Sequence, residues 1–178
     1  MNNELMIDIE TTGTEPGCKV LTIGAFGFDK EGNQCEFYVR FDNNKLSKLF
    51  NDDPNTMAWW QSQSNEAYAQ AFGGTEDPQK GLADFKQWIL TKFDTGKFGN
   101  FKVWCRGLDF DFPILKQFFK VFGFKFPWNF WQQYNYRTVA NIFPVIKNAE
   151  SNGLKHGALE DAKAQMRGLR AFYTLIKD

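Results

Sequence analysis

Asp8-Ile9-Glu10 sets two carboxylates two residues apart, and Thr11-Thr12-Gly13 follows directly. On an extended strand, residues i and i+2 leave the same face, so Asp8 and Glu10 point together. If that face meets a core, the carboxylates repel and lose hydration, a cost that a cation or bound protons offset. A solvated strand face explains the same spacing when it is taken alone. A second acidic site lies in Trp104-Cys105-Arg106-Gly107-Leu108-Asp109-Phe110-Asp111-Phe112-Pro113-Ile114-Leu115, at a strand-to-helix junction. There Asp111 also suits a simple helix N-cap. The third site is His156-Gly157-Ala158-Leu159-Glu160-Asp161. His156 is the only histidine of the chain and stands just before a helix. Asp161 falls one turn inside that helix, beside the imidazole, whose pKa range suits a general base. Hard oxygen donors with a single histidine point to Mg²⁺ or Mn²⁺ rather than zinc.

These residues need a scaffold. Leu5 to Glu10 alternates as a strand, with Leu5, Ile7 and Ile9 on one side and Met6, Asp8 and Glu10 on the other. Val20 to Phe28 and Glu36 to Phe41 read as two further strands, separated by turn residues, giving an antiparallel meander. The pattern predicts helices over Thr56 to Ala71 and over Pro78 to Phe93. Lys102 to Cys105 reads as a short strand, and Asp111 as the cap of a helix from Pro113 to Phe122 ended by Gly123. A short helix is expected around Arg137 to Phe143, and a long one over Ala158 to Ile176. Three strands followed by helices interleaved with strand imply an α/β mixed sheet flanked by α-helices.

Composition bounds the rest. A chain of 178 residues with 43% hydrophobic and 24% charged side chains suits one soluble globular domain. The 20 phenylalanines and 6 tryptophans read mostly as core, with a few rings free to act as stacking platforms. Net charge is zero, so no global basic signature for nucleic acid exists. Residues 1–101 nevertheless carry 9 Lys and Arg against 15 Asp and Glu, and residues 102–178 carry 12 against 6. An acidic site with a basic flank suits an enzyme that holds cations and a polyanion together. Cys18, Cys35 and Cys105 form no C-x-x-C pair, which argues against a disulfide framework or zinc site and fits a reducing cytosol. The N-terminus has no signal-peptide pattern, and no apolar run approaches membrane-spanning length.

Taken together and in this order, Asp-x-Glu on the first strand, Phe-Asp at a mid-chain helix start and His-x4-Asp on the last helix resemble the DnaQ-like exonuclease superfamily of the DEDDh type. The resemblance spans nearly the whole chain and is strongest to the phage exonuclease A (DexA) branch and related bacterial exoribonucleases. Thr56-Met57-Ala58-Trp59-Trp60-Gln61-Ser62-Gln63-Ser64, the Trp104 to Leu115 run, and Phe130-Trp131 followed by Arg137-Thr138 also look like that branch. Two departures stand out. Asp109 occupies a position where relatives more often carry a small residue, and Tyr134-Asn135-Tyr136 replaces a stretch that often bears an acid.

The resemblance implies an RNase H-like fold, antiparallel meander first and parallel strands after, over residues 1–178 as a single 3'-5' exonuclease domain. It implies two Mg²⁺ or Mn²⁺ ions, held by Asp8, Glu10, Asp111 and Asp161, with His156 as the base. Asp111 is preferred to Asp109 because it follows Phe110 directly. The expected reaction is hydrolysis of single-stranded DNA from the 3' end to nucleoside 5'-monophosphates, with RNA as the alternative substrate. Thr11, Thr12 and Gly13 are expected to hold the terminal nucleotide, and Trp60 to stack on a base, with burial of both Trp59 and Trp60 in the core as the alternative. Arg106 and Arg137 are expected at phosphate or in surface salt bridges. A rival from another class is a non-catalytic RNase H-like binding module, disfavoured because all five motif positions are filled. A stand-alone nuclease is expected rather than a proofreading subunit, in the cytoplasm, that of a bacterial host if the chain is phage-encoded.

Overall fold

The computed structural model describes residues 1–96, 99–150 and 157–177. Five strands form one sheet: β1 (Glu4–Thr11), β2 (Val20–Phe28), β3 (Gln34–Arg40), β4 (Lys102–Cys105) and β5 (Gln133–Asn135), in the order β3-β2-β1-β4-β5. β1 pairs antiparallel with β2, and β2 with β3. β4 joins β1, and β5 joins β4, in parallel. The expected meander followed by parallel strands is therefore present. β1 is central and buried on both faces, as its near-continuous apolar run requires.

The alternation of β1 sorts the two cores. Leu5, Ile7 and Ile9 face a cluster with α4 (Pro78–Lys92) and α5 (Asp111–Val121). Met6 faces a second cluster with α6 (Tyr136–Ile142) and the long C-terminal helix α7 (Ala158–Leu175). The phenylalanines fill the first core as linked rings. Phe118, for example, contacts Phe41, Phe50 and Phe122 at centroid distances of 5.3, 5.1 and 5.1 Å. Fully burying such a side chain contributes about 1.5–3 kcal/mol.

Local capping explains most helix starts. Asp53 accepts from the Thr56 backbone N–H at 2.9 Å and Pro54 opens α2 (Pro54–Gln61). Asp77 and Pro78 repeat the device for α4. The expected single helix from Thr56 to Ala71 is two: α2 ends at Gln61, and Ser64 caps α3 (Asn65–Phe72) through the Ala67 N–H at 3.2 Å. The Ser62-Gln63-Ser64 hydroxyls and amide offer local hydrogen bonds that compete with the helix ladder. A short α1 (Asn43–Leu46) and the strand β5 were not expected from sequence.

Asp111 is not a cap. It is the first residue of α5, and the cap position, Phe110, makes no side-chain hydrogen bond. Its carboxylate turns to the sheet instead. α7 likewise starts without a side-chain cap, with Glu160 and Asp161 in its first turn.

Candidate active site

The parallel pairing of β1 with β4 ends early. The β1–β4 ladder runs only to Met6↔Trp104, so β1 continues past its neighbour with Asp8 and Glu10. Into that notch comes Asp111, which accepts hydrogen bonds from the Ile9 backbone and the Cys105 thiol. Burial pushes the Cys105 thiol far above its ordinary range, so it stays a protonated donor.

α7 approaches from the other side. Its first turn lies directly on Gly24, which pairs with Asp8 across β1–β2. A methyl group at Gly24 would collide with the Leu159 nitrogen and the Ala158 carbonyl. The missing side chain is what lets the helix descend far enough for Asp161 to join the strand carboxylates. Asp8, Glu10 and Asp161 each place one carboxylate oxygen within 4.8 Å of the others. One turn after Asp161, the buried Gln165 donates from Nε2 to Asp8 Oδ1 at 2.9 Å. Its Oε1 has no hydrogen-bond partner among the described residues.

The electrostatics follow from this crowding. Burial, then the charges of Asp111, Glu10 and Asp161, raise the Asp8 carboxyl well above the usual range, against the Gln165 hydrogen bond. Burial, then Asp161 and Asp111, push Glu10 up to about 8. Burial pushes Asp111 up to about 7, against the Cys105 and backbone hydrogen bonds and the Arg137 charge. Several desolvated carboxylates with raised pKa values fit a divalent cation. The donor set is all oxygen, which suits Mg²⁺ or Mn²⁺.

The structure thus gathers Asp8, Glu10, Asp111 and Asp161. Asp109 is exposed, whereas Asp111 is 4% exposed. His156 lies outside the described residues. Arg106 pairs with Glu150 at 3.0 Å. Arg137 is exposed, and its charge reaches Asp111.

A groove of about 510 Å³ opens beside Glu10, lined by Thr11, Gly13, Thr14, Asn55, Trp59 and Phe110 among others. Two of the expected substrate contacts, Thr12 and Trp60, are buried. Thr12 is fully buried and commits its N–H to the Lys19 carbonyl, its C=O to the Asp53 N–H and its hydroxyl to the Asn51 carbonyl. Nothing of it is left for a nucleotide. Trp60 is 1% exposed and donates its indole N–H to the Thr11 carbonyl at 2.8 Å, so it braces the end of β1 from below. The exposed neighbour is Trp59, at 42%, packed edge-on against Trp60. Both indoles line the groove, but which of the two is exposed depends on the packing of α2, which no local pattern reveals. Gln165 and Gly24 were also missed; both act on residues remote in sequence.

Comparison with known proteins agrees with this geometry. The family model of the 3'-5' exoribonuclease Rv2179c-like domain matches residues 3–173. An exodeoxyribonuclease of Enterobacteria phage T4 is 27% identical over 184 residues, covering 88% of this chain and 79% of the phage protein. Among solved structures, E. coli Exonuclease I in complex with a dA16 oligonucleotide superposes with a TM-score of 0.63 at 14% identity, over 99% of this chain. The chain spans 43% of the length of that protein. The nuclease domain of 3'hExo, a DEDDh family member bound to rAMP, superposes with a TM-score of 0.60 at 14% identity, over 98% of this chain and 92% of that one. The mixed sheet is the RNase H-like fold of these structures. The chain belongs to the 3'-5' exoribonuclease Rv2179c-like family and is a DnaQ-like 3'-5' exonuclease.

Proposed function

We propose that the protein hydrolyses single-stranded DNA from the 3' end and releases nucleoside 5'-monophosphates. The observation that carries this reading is the trio Asp8, Glu10 and Asp161 within 4.8 Å, with Asp111 close enough to raise the pKa of two of them. The phage T4 relative, named an exodeoxyribonuclease, supports DNA. The family description, an exoribonuclease domain, supports the second reading, RNA.

In this reading Asp8, Glu10, Asp161 and Asp111 would hold two Mg²⁺ or Mn²⁺ ions. When bound, such ions lower the pKa of an attacking water and neutralise charge on the transferring phosphoryl group. His156 takes the proton of the water, a role assigned from the sequence motif, and general bases contribute about 10²–10⁴-fold. The water oxygen bonds to phosphorus, the bond from phosphorus to the 3'-oxygen breaks, and that oxygen takes a proton from solvent and leaves as a hydroxyl while the imidazole returns its own proton to solvent. Gln165 fixes the rotamer of Asp8, and Trp59 and Phe110 flank the terminal base in the groove beside Glu10. Thr11 and Gly13 form the wall against its sugar. The reading takes residues 1–178 as one exonuclease domain at work in the cytoplasm. Among the described residues no helix is long and apolar enough to cross a membrane.

The test is a pair of 5'-labelled oligomers of one sequence, DNA and RNA, with Mg²⁺, Mn²⁺ or EDTA. A metal-dependent ladder shortening from the 3' end is expected, faster on DNA. Faster trimming of RNA would establish the second reading. No cleavage of either oligomer in any metal would overturn both.

A further inference from the structure

We propose that a lysine-lined groove along α5 binds the phosphodiester backbone of single-stranded nucleic acid upstream of the reacting 3' end. The proposal rests on the exonuclease reading above and adds to it where the rest of the strand lies.

The groove, of about 730 Å³, is walled by Lys116, Lys120 and Lys125, with Phe124 and Phe126 between them. Its lining and that of the active-site groove are close neighbours in the chain at two places. Pro113, in the first turn of α5, lines it two residues after Asp111, and Phe110, one turn earlier, lines the active-site groove. Pro16 also lines it and belongs to the loop whose Gly13 and Thr14 line the active-site groove. A strand leaving the carboxylate cluster along α5 therefore meets Pro113, then Lys116, then Lys120, residues that share a helix face at spacings of three and four.

The charge of this wall is uncompensated. Among the described residues no carboxylate lines the groove. Among the described residues, Lys19, Lys45, Lys80, Lys102 and Lys163 are in ion pairs, and Lys116, Lys120 and Lys125 are in none. Lys116 and Lys120, at i and i+4, repel each other across one turn. A fourth cation, Lys86, lies 5.6 Å from the centre of the Phe124 ring. A polyanion relieves this repulsion, and half-buried rings interleaved with the lysines offer faces on which bases stack regardless of sequence. The run from Asp111 to Lys120 measures about 14 Å at 1.5 Å per residue. That is about four nucleotides of a stacked strand at 3.4 Å each. Only substrates longer than this reach the whole groove.

The experiment compares the parent with K116Q/K120Q/K125Q, on a trinucleotide and on an oligomer of about 20 nucleotides. All three side chains are exposed, and unfolding by circular dichroism verifies that the fold is kept. The KM of the long oligomer is expected to rise at least about tenfold relative to that of the trinucleotide, and its log–log salt slope to fall by about 2, from about 0.7 per phosphate contact. Equal changes for both lengths, or none, would overturn the groove. Should the parent cleave nothing, the exonuclease reading fails, and fluorescence-anisotropy binding of the same oligomers in EDTA decides the groove separately. Length-dependent binding lost in the triple variant supports it. Binding indifferent to the three lysines overturns it, and so does binding of an acidic peptide in preference to the oligomers.

Discussion

Gln165 Nε2 donates to Asp8 Oδ1 across 2.9 Å, tying the last helix to the first strand at the centre of the carboxylate cluster. Gln165 lies one turn after Asp161, so one helix supplies both a cluster carboxylate and the donor that orients another. The bond occupies one oxygen of Asp8 and leaves the other for a cation. A hydrogen bond to a charged group contributes about 1.5–3 kcal/mol, which corresponds to roughly tenfold or more in affinity when it is lost. Gln165→Met keeps the volume and removes the donor. The Mg²⁺ concentration for half-maximal activity should rise about tenfold, with kcat at saturating Mg²⁺ much less affected. An unchanged metal requirement would show that the amide only fills space.

Gly24 makes the same site possible from the opposite strand. Gly24→Ala puts a methyl group into the backbone of Ala158 and Leu159, atoms that cannot rotate away. The first turn of α7 must lift, taking Asp161 from Asp8 and Glu10. Loss of activity of about 10²-fold is expected, because a displacement near 1 Å in a catalytic constellation costs about that much. Far-UV circular dichroism should stay close to the parent. Full activity in Gly24→Ala would mean that the helix position is not set by this contact.

The cluster should destabilise the metal-free protein in a pH-dependent way. Glu10 rises from an ordinary value of 4.5 to about 8 in the fold. A carboxyl whose folded pKa lies above its unfolded one favours the fold fully below the unfolded value and loses that contribution as pH rises through the folded value. The Tm of EDTA-treated protein should therefore fall between pH 4.5 and about 8, and saturating Mg²⁺ should largely remove the fall. Because cation binding displaces these protons, Mg²⁺ affinity should climb over the same interval. Asp8→Asn, with one buried charge fewer, should melt higher than the parent in EDTA. Differential scanning fluorimetry across pH reads all three; a flat, metal-insensitive Tm would contradict the shared burial of these groups.

The adjacent tryptophans separate stacking from support. Trp59→Ala should leave Tm nearly unchanged and weaken oligomer binding by about 1–3 kcal/mol, the usual loss of one base–aromatic stack. Trp60→Ala should instead cost about 3–5 kcal/mol of stability, by emptying a core position and orphaning the Thr11 carbonyl. Binding and melting measurements on the two variants test the division; interchanged effects would return the stacking role to Trp60.

Much of this was legible in the sequence. Strand β1 could be read because its alternation is a local property, and the placement of Asp8 with Glu10 follows from it. The family resemblance supplied Asp111 and Asp161 as their partners. The helix break at Ser62-Gln63-Ser64 was hidden because apolar periodicity bridges it while the competing hydroxyl bonds leave little trace in pattern. Asp111 read as a cap for the same reason: its position is local, but its hydrogen bonds to Ile9 and Cys105 come from the sheet. Trp60, Gln165 and Gly24 act through contacts 49, 157 and more than 130 residues away in the chain, which no periodicity encodes.

In the proposed function Asp8, Glu10, Asp111 and Asp161 form one metal-dependent hydrolytic site. The most direct measurement follows a 5'-labelled single-stranded DNA oligomer with Mg²⁺, using the parent and Asp8→Asn, Asp111→Asn and Asp109→Asn variants of verified fold. A 3'-shortening ladder is expected for the parent and for Asp109→Asn, and none for Asp8→Asn or Asp111→Asn. Near-full activity in folded Asp8→Asn, or a greater loss in Asp109→Asn than in Asp111→Asn, would contradict it.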